Sequence, residues 1–167
     1  LEWRQGGLVD IKLLKISDFN NDFEEFVEAC YCCYFSIWQS EVKFNNKPIV
    51  RNSVLEDGKE KDFWGVVEGH TNHKIFNDLS RYETVPYLKY ILEEVSKTNN
   101  DNNSDVIWFY SERDKVNILS KNSKYLVVLK ESKTKIYFVT AFPVNQAKVG
   151  KITEKWRIYW KTNIRSN

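Results

Sequence analysis

Methionine is absent from this chain of 167 residues, and glycine (6), proline (3), cysteine (3) and histidine (2) are scarce. Without an initiator methionine, the sequence reads as a processed product or as a piece excised from a longer protein. So little glycine and proline excludes collagenous and solenoid architectures. Three cysteines, clustered at Cys30, Cys32 and Cys33, make no disulfide framework. A zinc site needs four ligands, usually from two separated pairs, and no second pair exists. The cysteines therefore read as buried, reduced thiols on a helix, with a reactive or metal-binding role as the alternative, and a reducing compartment follows. A large excess of one charge sign is missing too, with 25 Lys+Arg against 23 Asp+Glu and a net charge of +2. Affinity for nucleic acid cannot then come from bulk charge and requires a local basic patch. No apolar run approaches the roughly 18 residues of a membrane span, and no secretory signal is seen. There is no glycine-rich phosphate loop, no Gly-x-Ser-x-Gly elbow and no His-Glu-x-x-His. Nucleotide hydrolysis, hydride transfer and zinc proteolysis are disfavoured, and no cofactor is implied.

Apolar material is plentiful. Hydrophobic residues make up 42% and aromatics 15%, enough for one domain with a real core. Leu8–Ile16 alternates loosely and predicts a strand. Ser17 or Asp18 then caps a predicted helix to Trp38, along which Phe19, Phe23, Phe26, Val27, Cys30, Tyr34 and Trp38 recur at spacings of three and four. A hairpin is expected from 41–44 and 49–55 around Asn45-Asn46, followed by a turn at Asp57-Gly58 and a short strand over 62–67. Residues 76–82 suggest a turn or short helix. Thr84 and Pro86 open a helix that ends near Lys97. Beyond the polar 98–104 loop the period turns strand-like, giving strands at 106–110, 116–119, 125–129 and 136–142, an antiparallel meander. A helix over 151–161 closes the chain. The fold class is α+β, an N-terminal helical and strand region followed by a four-stranded antiparallel meander with helices on one face. The chain is one domain, divided into an extension (1–56), a core (57–145) and a C-terminal helix (146–167).

Few residues carry chemistry. His70 and His73 lie three apart in a polar stretch and suit acid–base work, though two solvent-facing histidines would look the same. Arg81 precedes a helix and has the planar fork that suits a phosphate; its bland alternative is an ion pair with Asp78 or Glu83. Thr140 interrupts an apolar strand, where a β-branched residue also simply fits. By alternation it shares a face with Ile136, Phe138 and Phe142. The segment Lys155-Trp156-Arg157-Ile158-Tyr159-Trp160-Lys161 interleaves bases and rings, as single-strand binders do and as a helix packed on a sheet also does.

Taken in order, His73-Lys-Ile-Phe76, Arg81, the helix opening Val85-Pro-Tyr-Leu88, Trp108, Tyr125–Leu129 and Tyr137–Phe142 resemble the phage- and toxin-associated nucleases of the Barnase–EndoU–colicin–RelE group. The resemblance covers roughly residues 57 to 145. It implies a metal-independent endoribonuclease, a toxin or phage effector domain carried on a larger polypeptide. It implies RNA as substrate, tRNA or mRNA, an immunity or antitoxin protein as partner, a cytoplasmic site of action after any delivery, and no membrane. His73 would be the general base or acid, Arg81 would hold the scissile phosphate, and Thr140 would donate to a phosphate oxygen. His70, Tyr125, Lys155 and Trp156 would contact substrate. A hairpin turning near Ser132-Lys133 sets Thr140 opposite Tyr125 and leaves Lys130 about 16 Å along the strand, outside the site. Two other classes compete: a non-catalytic module that binds RNA or protein, and a phage structural domain whose aromatic helix 17–38 is the partner surface.

Overall fold

A computed structural model describes residues 10–69 and 79–164. After a 3-10 turn at Ile16–Phe19, α1 (Phe23–Ile37) starts at Asp22, whose carboxylate accepts from the Glu24 and Glu25 amides. Asp22, not Ser17 or Asp18, is thus the cap. Residues 10–15 form no strand; Leu14 and Ile16 pack as single apolar anchors against the helical layer. Two tight hairpins follow, β1 (Lys43–Phe44) with β2 (Lys47–Val50) and β3 (Leu55–Glu56) with β4 (Lys59–Glu60). Asn45-Asn46 and Asp57-Gly58 take positive φ at both central positions, as two-residue hairpins with the native twist require. The segment expected as a strand over 62–67 is a helix, α2 (Lys61–Val67), because Phe63, Val66 and Val67 share a helical face and are buried. α3 (Ser80–Glu83) and α4 (Val85–Glu94) follow, with Pro86 in the first turn of α4.

The expected meander is present as β5 (Val106–Ser111), β6 (Lys115–Ser120), β7 (Tyr125–Glu131) and β8 (Ile136–Pro143). It belongs to a larger sheet of order β1-β2-β8-β7-β6-β5, in which β2 joins β8 in parallel through Ile49↔Ile136 and Val50↔Tyr137. The sheet curls until its two ends meet. Phe44 stands edge-on to Trp108, and Asn45 donates to the Tyr110 hydroxyl. Tyr110 donates to Glu131, which also pairs with Lys47 at 2.6 Å. The last helix, α5 (Gln146–Ile164), begins five residues earlier than expected, with Asn145 Oδ1 accepting the Lys148 amide.

Helices cover both faces of the sheet, not one. Phe26, Tyr34, Phe63, Leu88 and Ile91 from α1, α2 and α4 pack with Ile118, Val127 and Leu129. Val149, Ile152 and Trp156 from α5 pack on Ile107, Phe109, Leu119, Leu126 and Val128 from the other side. Strands buried on both faces lose polar alternation, which explains the continuous Tyr125–Leu129 run. No described helix is long and apolar enough to cross a membrane.

Candidate active site

Two of the three nominated catalytic residues meet. α2 ends at Val67, with Glu68 at the cap and Gly69 beyond it in the left-handed region (φ +73). The Gly69 amide donates to the Gly65 carbonyl at 3.2 Å, the single-bond left-handed cap. Arg81 Nη1 donates to the same carbonyl at 3.3 Å and to the Val66 carbonyl at 3.2 Å. Thr140 Oγ1, from the neighbouring strand, donates to the Gly65 carbonyl as well, at 3.4 Å. The Glu68 amide reaches the same oxygen, so four donors converge on it. The guanidinium also lies 5.3 Å from the Phe142 ring centre. Cation, helix end and ring support one another, since a cation at a helix C-terminus is favoured by the helix dipole. A side-chain carbon at Gly69 would stand 3.3 Å from Arg81 Nη1, so glycine serves both the backbone turn and the close approach.

Thr140 reaches this corner because β8 is irregular. A bulge between Val128 and Leu129 of β7 sets Val128 opposite Thr140 and Leu129 opposite Phe138, so that Val139 is the extra residue. Tyr125 pairs with Pro143, not with Thr140 as a turn at Ser132-Lys133 predicts, because Glu131 pairs with Ile136 and the bulge adds one residue more. The bulge also breaks the expected face. Phe138 joins the cluster under α1, α2 and α4, while Val139 and Phe142 pack toward α5. β8 meets β2 only at Ile136 and Tyr137, and α2 packs against β8.

Tyr125 is fully buried, and its hydroxyl has no hydrogen-bond partner among the described residues. Burial pushes its ionisation well above the ordinary tyrosine value, against a smaller pull from Arg81. It stacks edge-on to Tyr87, with ring centres 5.9 Å apart. Trp156 is buried too, and its indole N–H donates to Asn100 Oδ1 at 3.0 Å, so it is a packing residue and offers no ring face to a base. Lys155 is exposed on α5, which lies across the opposite face of the sheet from α2. Lys130 pairs with Tyr137 on the strand and lies 3.8 Å from Asp114. His70 and His73 lie outside the described residues, as does Asp78, the carboxylate first weighed as a partner for Arg81.

The thiols divide by exposure. Burial pushes Cys30 up to about 12 and raises Cys33, whereas Cys32 is exposed and corrects the expectation of three buried thiols. Among the described residues, no cluster of three or more His, Cys, Asp or Glu side chains is placed to hold a metal ion.

Sequence reasoning missed the Gly65 and Val66 carbonyls, Gly69 and Phe142. Gly69 was the available signal. It is a helix-stop glycine, legible once 61–67 is read as a helix. No family model, curated protein or solved structure matches the chain.

Proposed function

We propose that the chain is a metal-independent endoribonuclease whose reaction centre is the corner formed by Arg81 and Thr140, completed by His73. The observation that carries this reading is their convergence on the Gly65 carbonyl, at the start of the connection that holds both histidines. In this reading His73 takes the proton of an RNA 2′-hydroxyl, and that oxygen attacks the adjacent phosphorus. Nη1 is committed to the end of α2, so the phosphorane meets Nη2 and Nε of the guanidinium. The Thr140 hydroxyl, held by a bond of 3.4 Å, turns from the carbonyl to a phosphate oxygen. An acid protonates the departing 5′-oxygen, leaving a 2′,3′-cyclic phosphate. His70 is the remaining histidine for that step. An effector role against a cell's RNA, restrained by an immunity protein, goes with this chemistry.

One observation favours a second reading, a module that binds RNA or protein without cutting. Arg81 and Thr140 both spend hydrogen bonds on backbone carbonyls, as parts of a helix-end clasp would.

End-labelled RNA incubated in EDTA with the wild type, His73→Ala and Thr140→Val separates the two. Cyclic-phosphate ends made by the wild type and lost in both variants support the nuclease. RNA retained intact by all three supports the binding module. RNA neither cut nor retained overturns both.

A further inference from the structure

The low net charge of the chain conceals an uneven distribution. α5 carries Lys148, Lys151, Lys155, Arg157 and Lys161 against Glu154 alone, so its positive excess is larger than the +2 of the whole chain. Across the sheet, α1 carries three glutamates and no Lys or Arg. α5 packs on the sheet through Val149, Ile152 and Trp156, which leaves its cations outside. Lys148, Lys151 and Lys155 are exposed and recur at spacings of three and four, so they share one side of the helix over about 10 Å.

These charges are uncommitted. The single carboxylate of α5 is taken by Arg157 at 3.3 Å. None of Lys148, Lys151, Lys155 or Lys161 pairs with a carboxylate among the described residues. Nor does the helix gain from them. Lys148 and Lys151 stand in its first two turns, at the positive end of the dipole, and no acidic residue offsets them in the first turn.

We propose that this side of α5 holds the phosphate backbone of double-stranded RNA without reading its sequence. Free ammonium groups in a row select a polyanion, because each neutralises a phosphate as a point charge and releases its counterion. The stripe from Lys148 to Lys155 matches the advance of about three stacked nucleotides. A duplex is favoured over a single strand because the indole rings of the helix are occupied. Trp156 is buried, and Trp160 stands edge-on to Trp108 with centres 5.2 Å apart. An anionic bilayer is disfavoured because the apolar side of α5, which would enter it, is covered by the sheet. An acidic protein is disfavoured because protein interfaces centre on rings and apolar side chains and are poor in lysine. The choice of RNA over DNA rests on the ribonuclease reading. The charge argument does not, and the stripe lies on the opposite face of the sheet from α2 and the Arg81 corner.

The test is fluorescence anisotropy of a labelled 2′-O-methyl RNA duplex of about 16 base pairs, which has no free 2′-hydroxyl and cannot be cut by transesterification. Log affinity should fall against log salt with a slope of about −3, roughly 60-fold between about 50 and 200 mM. The triple variant Lys148→Gln/Lys151→Gln/Lys155→Gln changes exposed positions only, and circular dichroism checks its fold. It should bind at least about tenfold more weakly, with a slope of about −1. The proposal is overturned by wild-type affinity in the variant, by salt-independent affinity, or by no binding. Tighter retention of a DNA duplex of the same sequence, or equal displacement by poly-glutamate, overturns it as well. Unmodified RNA tests the ribonuclease separately. A duplex held while unmodified RNA stays uncut overturns that reading and leaves the lysine site standing. RNA cut, with equal retention by wild type and variant, overturns the lysine site alone.

Discussion

Replacing Arg81 by alanine should unfold the chain at a lower temperature whether or not it abolishes any activity. The loss can be worked from the contacts. Two charged N–H···O bonds of 3.2 and 3.3 Å disappear, and at that length each is worth about 0.5 kcal/mol net. The guanidinium over Phe142 adds about 0.5–1 kcal/mol, and its charge at the end of α2 a few tenths more. The total is about 2 kcal/mol, or a fall in Tm of roughly 4–8 °C for a domain of this size. Thr140→Val keeps the shape and removes one bond of 3.4 Å, so its cost is below about 1 kcal/mol and its Tm shift about 4 °C or less. Thermal melts followed by circular dichroism measure both. Arg81→Ala melting with the wild type would refute the clasp. A fall beyond about 10 °C for Thr140→Val would show that its hydroxyl does far more than the geometry allows. The contrast matters for function, because lost cleavage in Arg81→Ala confounds chemistry with stability, whereas lost cleavage in Thr140→Val does not.

Three further outcomes are expected. Asn100→Ala should cost about 2–4 kcal/mol in urea unfolding, since it strips partners from the Trp108 amide and carbonyl and the Trp156 indole and puts alanine at φ +54. Burial raises Glu131, but hydrogen bonds from Lys47 and Tyr110 and the Lys47 charge outweigh it and hold its pKa below the ordinary value. Its stabilisation is therefore complete above the unfolded glutamate value near 4.3 and is lost as pH falls through the lower folded value. The gap between wild type and Glu131→Gln in guanidinium midpoint should close over that acid range and stay constant above it. Iodoacetamide at pH 8 should label Cys32 of the folded chain first, by peptide mass, while Cys30 and Cys33 react only on unfolding.

The meander was legible because each of its strands pairs with its chain neighbour, so local period and turn residues sufficed. α1 was legible in its apolar stripe, though not in its start. Ser17, Asp18 and Asp22 are all competent caps, and only packing chooses Asp22. What failed was non-local or ambiguous. Phe63-Trp-Gly-Val-Val67 is too short for period alone to tell strand from helix. Nothing near Ile49 or Ile136 announces that they pair. Within the site, Arg81 and Thr140 were nominated by residue type and do approach each other, yet through a carbonyl that no side-chain pattern encodes. Tyr125 faces Pro143, three residues from its expected partner: the hairpin turns one residue later than expected, with Glu131 opposite Ile136, which accounts for two, and the bulge at Val139 adds the third, neither being visible to an alternating pattern. Trp156 fitted both stacking and packing, and only its burial distinguishes them.

The parallel seam between β2 and β8 has a consequence for how the chain acquires its shape. β5 to β8 can zip as successive hairpins, each closing a short loop. Ile49, by contrast, must wait for Ile136, and the clasp of Asn45, Lys47, Tyr110 and Glu131 must wait for both. Ribosomal synthesis runs the other way, delivering β1 and β2 long before their partner exists. The nascent chain therefore emerges with an unpaired N-terminal hairpin and an aromatic helix that has no sheet to cover, and it becomes native only when its last strand and α5 are released.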